Sequence, residues 1–283
     1  MCTLVYQSIG IIGCGLIGGS LALSIHKQFP TIPLYGIDPK SDSIKAHPQA
    51  SCFKHLSSTL TDLPKDIDII FIATPIHNTL KTIKVLSNHI QESTVLTDVT
   101  STKESLLKTI EELSLKNPYI SGHPMAGKEI TGFEAASETL FKEAPYVLIT
   151  NSHQNQEEKL TTFLTKMSCR VIKQTAQKHD ELVALVSHLP YLTATALIDV
   201  ATKENSQEII KSIYGPGFKD STRLAASSPD WGSDICDQNK VAITNSLDKM
   251  IQSLKQLKSV IQTSEIETLK HILASNKQKK DEL

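Results

Sequence analysis

The chain has 283 residues, of which 40% are apolar and 21% charged; that is enough for a sizeable core and too apolar for a disordered polymer. Its 29 basic and 30 acidic side chains leave a net charge of −1, so nothing in the balance points to a nucleic-acid or membrane-surface protein. The cysteines Cys2, Cys14, Cys52, Cys169 and Cys236 are odd in number and never spaced as CxxC. No disulfide framework and no metal site is expected, and a reducing, cytoplasmic setting fits.

The first 25 residues contain no charge, which by length alone would suit a signal peptide or a membrane span. No basic residue precedes the apolar part, and Gly10, Gly13, Gly15, Gly18 and Gly19 interrupt it, so a strand, turn and helix are expected instead. Apolar runs at 8–12, 34–37, 67–73, 94–97 and 146–149 read as strands buried on both faces, with a last strand at 170–173. Helical spacing fills 20–28, 76–89, 103–113 and 156–167. Alternating β and α segments over 1–175 predict a Rossmann-type, doubly wound α/β domain. From 176 to 283 strand signals stop, and long helical patterns at 181–201 and 234–261 predict an all-α domain that buries its remaining apolar face by dimerising. The terminal Lys280-Asp281-Glu282-Leu283 spells an ER-retention address, read here as the coincidental end of a lysine-rich helix.

Gly13-Cys14-Gly15-Leu16-Ile17-Gly18 is a GxGxxG between a β run and a helix, where glycines allow a tight turn and the helix N-terminus faces a pyrophosphate. Asp38 lies 20 residues beyond Gly18 and can bind both ribose hydroxyls while repelling a 2′-phosphate; its alternative role is a turn before Pro39. Only Arg170 and Arg223 are arginines against 27 lysines, so none stands near Asp38 to hold a 2′-phosphate, and NAD is favoured over NADP. Thr74 and Pro75 follow the 67–73 strand on a loop over the cofactor. Farther on, His123 sits between Gly122 and Pro124 on what reads as a loop, and its neutral imidazole suits proton abstraction near pH 7.

Together GCGLIGGSLA (13–22), DVTSTK (98–103), GHPMAGKEITG (122–132), SHLPY (187–191), GPGFKDSTR (215–223) and SSPDW (227–231) resemble the prephenate dehydrogenases and their arogenate and cyclohexadienyl relatives, in order along nearly the whole chain. The resemblance implies oxidative decarboxylation of prephenate to 4-hydroxyphenylpyruvate for tyrosine biosynthesis, with arogenate as the alternative substrate. It implies His123 as base, Ser101 as its partner on the substrate hydroxyl and beside the cofactor, and Arg223 as a carboxylate clamp. A retained arginine in a lysine-rich chain suits bidentate geometry. By the same resemblance His188 approaches the substrate, Glu129 and Asp220 form charge pairs at the pocket mouth, and Trp231 caps it. Tyr191 stands where many prephenate-specific members carry a second histidine, which leaves the substrate side-chain contact open.

A homodimer is expected, with tyrosine inhibition most simply explained by occupation of the substrate site. With a first strand beginning by Ser8 and helices running almost to Leu283, neither an N-terminal chorismate mutase domain nor a C-terminal regulatory domain is expected. Related β-hydroxyacid dehydrogenases and imine reductases would not account for GHPMAG with GPGFKDSTR. A non-catalytic NAD-binding dimeric module would predict cofactor binding without turnover.

Overall fold

The computed structural model describes residues 5–128, 130–150, 153–203 and 205–283. Among the described residues eight strands form one sheet in the order β3-β2-β1-β4-β5-β6-β7-β8. They are β1 Ile9–Ile12, β2 Leu34–Ile37, β3 His55–Ser57, β4 Ile69–Ile72, β5 Val95–Asp98, β6 Tyr119–Pro124, β7 Pro145–Ile149 and β8 Arg170–Gln174. Strands β1 to β6 run parallel, β7 is antiparallel to β6, and β8 is parallel to β7. The expected Rossmann-type sheet is therefore present and ends in a mixed edge.

The order reverses between β1 and β4, and the crevice beyond the carboxyl ends of such neighbours is where this class of sheet binds ligands. Helices α1 Leu16–Gln28, α2 Ser41–Lys45, α3 Ile76–Leu86, α4 Glu104–Glu112 and α5 Gln154–Lys166 cover the two faces. One face buries Ile9, Leu21, Phe71, Phe163 and Tyr146, and the other Ile70, Leu86, Leu96 and Leu106. Within the uncharged stretch, residues 9–12 are core strand and 16–25 core helix, with Ile9, Ile11 and Leu21 fully buried.

Beyond β8 the chain is helical: α6 Ala176–Val183, a π turn Ala184–His188, α7 Leu189–Lys203, α8 Gln207–Ile213, α9 Pro216–Thr222, α10 Pro229–Gln238, α11 Lys240–Gln262 and α12 Ile266–Asp281. Where one helix is expected over 234–261, the chain makes two. Ser228 caps α10 by accepting from the Trp231 N–H, Pro229 supplies its first turn, and the helix stops at Asn239. Two strands escape the sequence pattern. Strand β3 has three residues, and β6 contains Gly122 and Pro124, so the predicted loop around His123 is the end of a strand.

Candidate active site

At the cofactor end, β1 stops at Ile12 and the chain turns at Gly13 with φ +85°, where a Cβ would lie 2.5 Å from the Ala73 carbonyl oxygen. A Cβ on Gly18 would lie 1.8 Å from the Gly13 oxygen, so only glycine lets α1 start this close to β1. Gly15 faces open space on the same turn, and Leu16 and Ile17 open α1 half-buried. The loop offers a dinucleotide pyrophosphate room, backbone N–H groups and the positive end of a helix. Asp38 directly follows β2; its Oδ2 accepts from the Cys14 N–H at 2.8 Å and its Oδ1 from the Lys40 N–H at 2.8 Å. Both oxygens thus serve the turn, and each keeps a second lone pair that a ribose hydroxyl could use. Thr74 abuts Gly13, and Pro75 leads into α3.

At the reaction end, β5 and β6 bring their carboxyl ends together, with Asp98 paired to Ser121. Asp98 is fully buried and heavily bonded: Tyr119 and Ser121 hydroxyls donate to Oδ1 at 2.6 Å, and Lys103 Nζ to Oδ2 at 2.6 Å. Lys103 is equally buried and also donates to the Gly122 carbonyl at 2.5 Å. Burial pushes the Asp98 carboxyl up, yet the Lys103 ammonium and the Ser121 and Thr100 hydroxyls outweigh it and hold Asp98 below its usual range. This ion pair fixes the strand end that carries His123. Removing Lys103 would leave a buried carboxylate unpaired, at a cost of about 3–5 kcal/mol.

His123, at the end of β6, is half-buried, and its Nδ1 lies 2.9 Å from His179 Nε2. His179 Nδ1 in turn lies 2.7 Å from Asp180 Oδ1, and both residues are 1% exposed. Burial, with Lys103, His179 and His188 nearby, holds the His123 imidazole neutral well below its ordinary pKa of 6.5. Asp180 also accepts from the backbone N–H groups of Lys103 and Glu104 at 2.9 Å each, so a residue of α6 caps the start of α4. His188 is fully buried; its pKa is pushed down to about 4 by burial, and its Nε2 has no hydrogen-bond partner. Its Nδ1 faces Asn239 at 3.4 Å, and Asn239 donates to the Asp180 carbonyl at 2.9 Å. Trp231 Nε1 reaches across to Ser101 Oγ at 3.5 Å, and its ring meets His188 and Tyr191 edge-on, with centroids 6.3 and 5.3 Å apart.

The helices therefore bring Trp231 to Ser101 on the loop after β5 and His188 near His123, with Tyr191 against the Trp231 ring. Arg223 and Asp220 lie exposed on α9 and the 3-10 turn that follows it, packed against α7. Glu129 lies outside the described residues. Sequence reasoning missed His179, Asp180, Lys103 and Asn239. His179 and Asp180 look like the solvated start of a helix, and Lys103 like one more surface lysine. The available signal was the adjacency of Lys103 to the Ser101 motif.

Comparison with known proteins is consistent along the chain. The model for the prephenate dehydrogenase nucleotide-binding domain matches residues 21–173, and that for the prephenate dehydrogenase dimerization domain matches 175–275. A prephenate dehydrogenase of Bacillus subtilis (strain 168) is 29% identical over 282 residues, covering 98% of this chain and 76% of its own. A cyclohexadienyl dehydrogenase of Zymomonas mobilis is 27% identical, covering 96% of this chain and 95% of its own. The crystal structure of A. aeolicus prephenate dehydrogenase with hydroxyphenyl propionate and NAD+ superposes with a TM-score of 0.92 at 27% identity, over 99% of both chains. That of Synechocystis arogenate dehydrogenase gives 0.84 at 29% identity, over 97% of this chain and 99% of the other. The protein belongs to the prephenate dehydrogenase family of oxidoreductases.

Proposed function

We propose that the protein catalyses the NAD-dependent oxidative decarboxylation of prephenate to 4-hydroxyphenylpyruvate. The observation that carries this reading is a histidine held neutral at a strand end beside the strand whose following loop bears Ser101, on the sheet that carries the glycine-rich turn. NAD supplies the acceptor for the hydride that leaves C4 of the ring. His123 takes the proton of the C4 hydroxyl, and Ser101 Oγ hydrogen-bonds that oxygen to orient it. The C1–carboxylate bond then breaks, CO₂ leaves, its electron pair aromatises the ring, and the C4 oxygen takes its proton back as the phenol. Most of the catalytic work is thus orientation plus one proton transfer.

Gly13, Gly15, Leu16, Ile17, Gly18 and Asp38 would hold the dinucleotide, with Thr74, Pro75 and Ser101 against it. Arg223 would clamp a substrate carboxylate, with Asp220 and Glu129 shaping the mouth. His188 Nε2, buried without a protein partner, has a hydrogen bond to give to substrate. Tyr191 keeps arogenate open as a second substrate, because a phenol can donate to a keto acid and accept from an ammonium. Tyrosine would inhibit by occupying the same site.

The helical region also supports a homodimer. Residues Ala176–Lys203 form a helix long and apolar enough, by length and composition, to cross a membrane, yet α7 packs on α9 and α11. It leaves Val186 and Val200 64% and 71% exposed, an apolar face suited to a second copy of a chain whose matched domain is a dimerization domain.

The test is NADH formation with prephenate and arogenate offered separately. His123→Asn should lower kcat by about 10²–10⁴ and leave the Kd for NAD unchanged. Because the base is active when neutral, the wild-type rate should stay flat as pH falls through 6.5 and drop only below it. Loss of NAD binding in the variant would make His123 structural, and NAD binding without turnover of either substrate would favour a binding module.

A further inference from the structure

We propose that His179 and Asp180 are positioning residues that fix the tautomer of His123 and leave its Nε2 as the atom that takes the substrate proton. This rests on the reading of His123 as the base.

The argument runs inward from the carboxylate. Asp180 accepts from two backbone N–H groups at the N-terminus of α4, so it is an acceptor there. The hydrogen in its 2.7 Å contact with His179 therefore sits on His179 Nδ1. A neutral His179 then has a bare Nε2, which accepts across the 2.9 Å contact from His123. That hydrogen belongs to His123 Nδ1, and the neutral His123 ring is left with a lone pair on Nε2. The competing arrangement makes His179 an imidazolium that donates to His123 Nδ1, which would put the His123 proton on Nε2 and remove the base. It would place a second buried cation near Lys103, although the backbone donors and Lys103 already answer the charge of Asp180. The titratable groups facing the ring are Lys103 ahead of α4, His179 from α6 and His188 from the π turn. None is an anion, so direct contacts oppose early protonation. Asp180, reached only through His179, is the compensating charge once the proton has transferred. Both positioning residues are almost wholly buried, so their geometry is held by packing as well as by hydrogen bonds.

The experiment is ¹⁵N NMR of histidine-labelled, NAD-bound protein, with His123 assigned by its absence in His123→Asn, alongside kinetics of two substitutions. Asparagine at 179 can still reach Asp180 but not His123, whereas glutamine places an acceptor near the old Nε2. We expect an imine-type Nε2 and a protonated Nδ1 on His123. We also expect a kcat about 10²-fold lower in His179→Asn, the lower end of what a positioned base contributes, with prephenate KM nearly unchanged and about tenfold recovery in His179→Gln. A wild-type His123 protonated at Nε2 overturns the proposal, and so does a folded His179→Asn enzyme with wild-type kcat. The NMR measurement needs no turnover, so it decides the tautomer even where neither prephenate nor arogenate reacts, an outcome that would defeat the proposed activity and leave the tautomer assignment standing.

Discussion

Gly232 lies inside α10, where glycine costs about 1 kcal/mol relative to alanine. A Cβ there would sit 2.3 Å from the Tyr191 hydroxyl and 2.8 Å from its ring, so the space a side chain would take is filled by the phenol. The helix gives up intrinsic stability to seat Tyr191 against Trp231. Gly232→Ala should swing the flexible ring away without moving backbone. The melting temperature should hold or rise, while prephenate KM rises about fivefold, the worth of one hydrogen bond near 1 kcal/mol. The same substitution should be silent in a Tyr191→Ala background. A lower melting temperature with unchanged KM would mean that Gly232 serves packing only. At this scale the sequence was informative wherever chemistry is local. The glycine turn, Asp38 and the neutral His123 are legible because spacing and residue type specify them. His179, Asp180 and Lys103 are not, because their roles arise only when α6 is laid against the start of α4, a contact 77 residues apart between Asp180 and Lys103.

The π turn at Ala184–His188 has an identifiable cause. Pro190 follows it closely and lacks the N–H that would bond back to Val186, and its ring would crowd that carbonyl in a regular helix. Widening the preceding turn, with the Leu189 N–H bonded to the Ala184 carbonyl, absorbs the conflict. The insertion also turns His188 and Tyr191 relative to α6, since each residue of an α-helix advances about 100°. Pro190→Ala should let the turn relax toward regular helix. Stability should then rise, up to the roughly 3 kcal/mol proline penalty, and kcat/KM should fall as His188 is re-aimed. Thermal melting and steady-state kinetics on one preparation check both signs; a stabilised variant with full activity would show that the π turn does not place the site. Element type was legible in long apolar runs such as Ile69–Ile72, which are buried on both faces. It was not legible in β6, whose Gly122 and Pro124 read as a break although the strand pairs with β5 and β7 on either side.

On the scale of the whole molecule, the exposed valines of the central helix set the expected assembly. Light scattering of the wild-type protein should give the mass of two chains, and Val200→Asp should shift it toward one. A wild-type monomer at assay concentration would reject the dimer. The contact between Asp180 and α4 bears on a different question, that of modularity. The two matched family segments meet between residues 173 and 175, which suggests a convenient place to divide the chain. Yet Asp180 and His179 lie just past that seam, and they supply the helix cap of α4 and the ring that faces His123. A nucleotide-binding half cut there would keep its glycine turn but lose the ring that faces His123 and the cap of α4. A chimera that joins either half to that of a relative would keep these contacts only if those two residues travel with the first half.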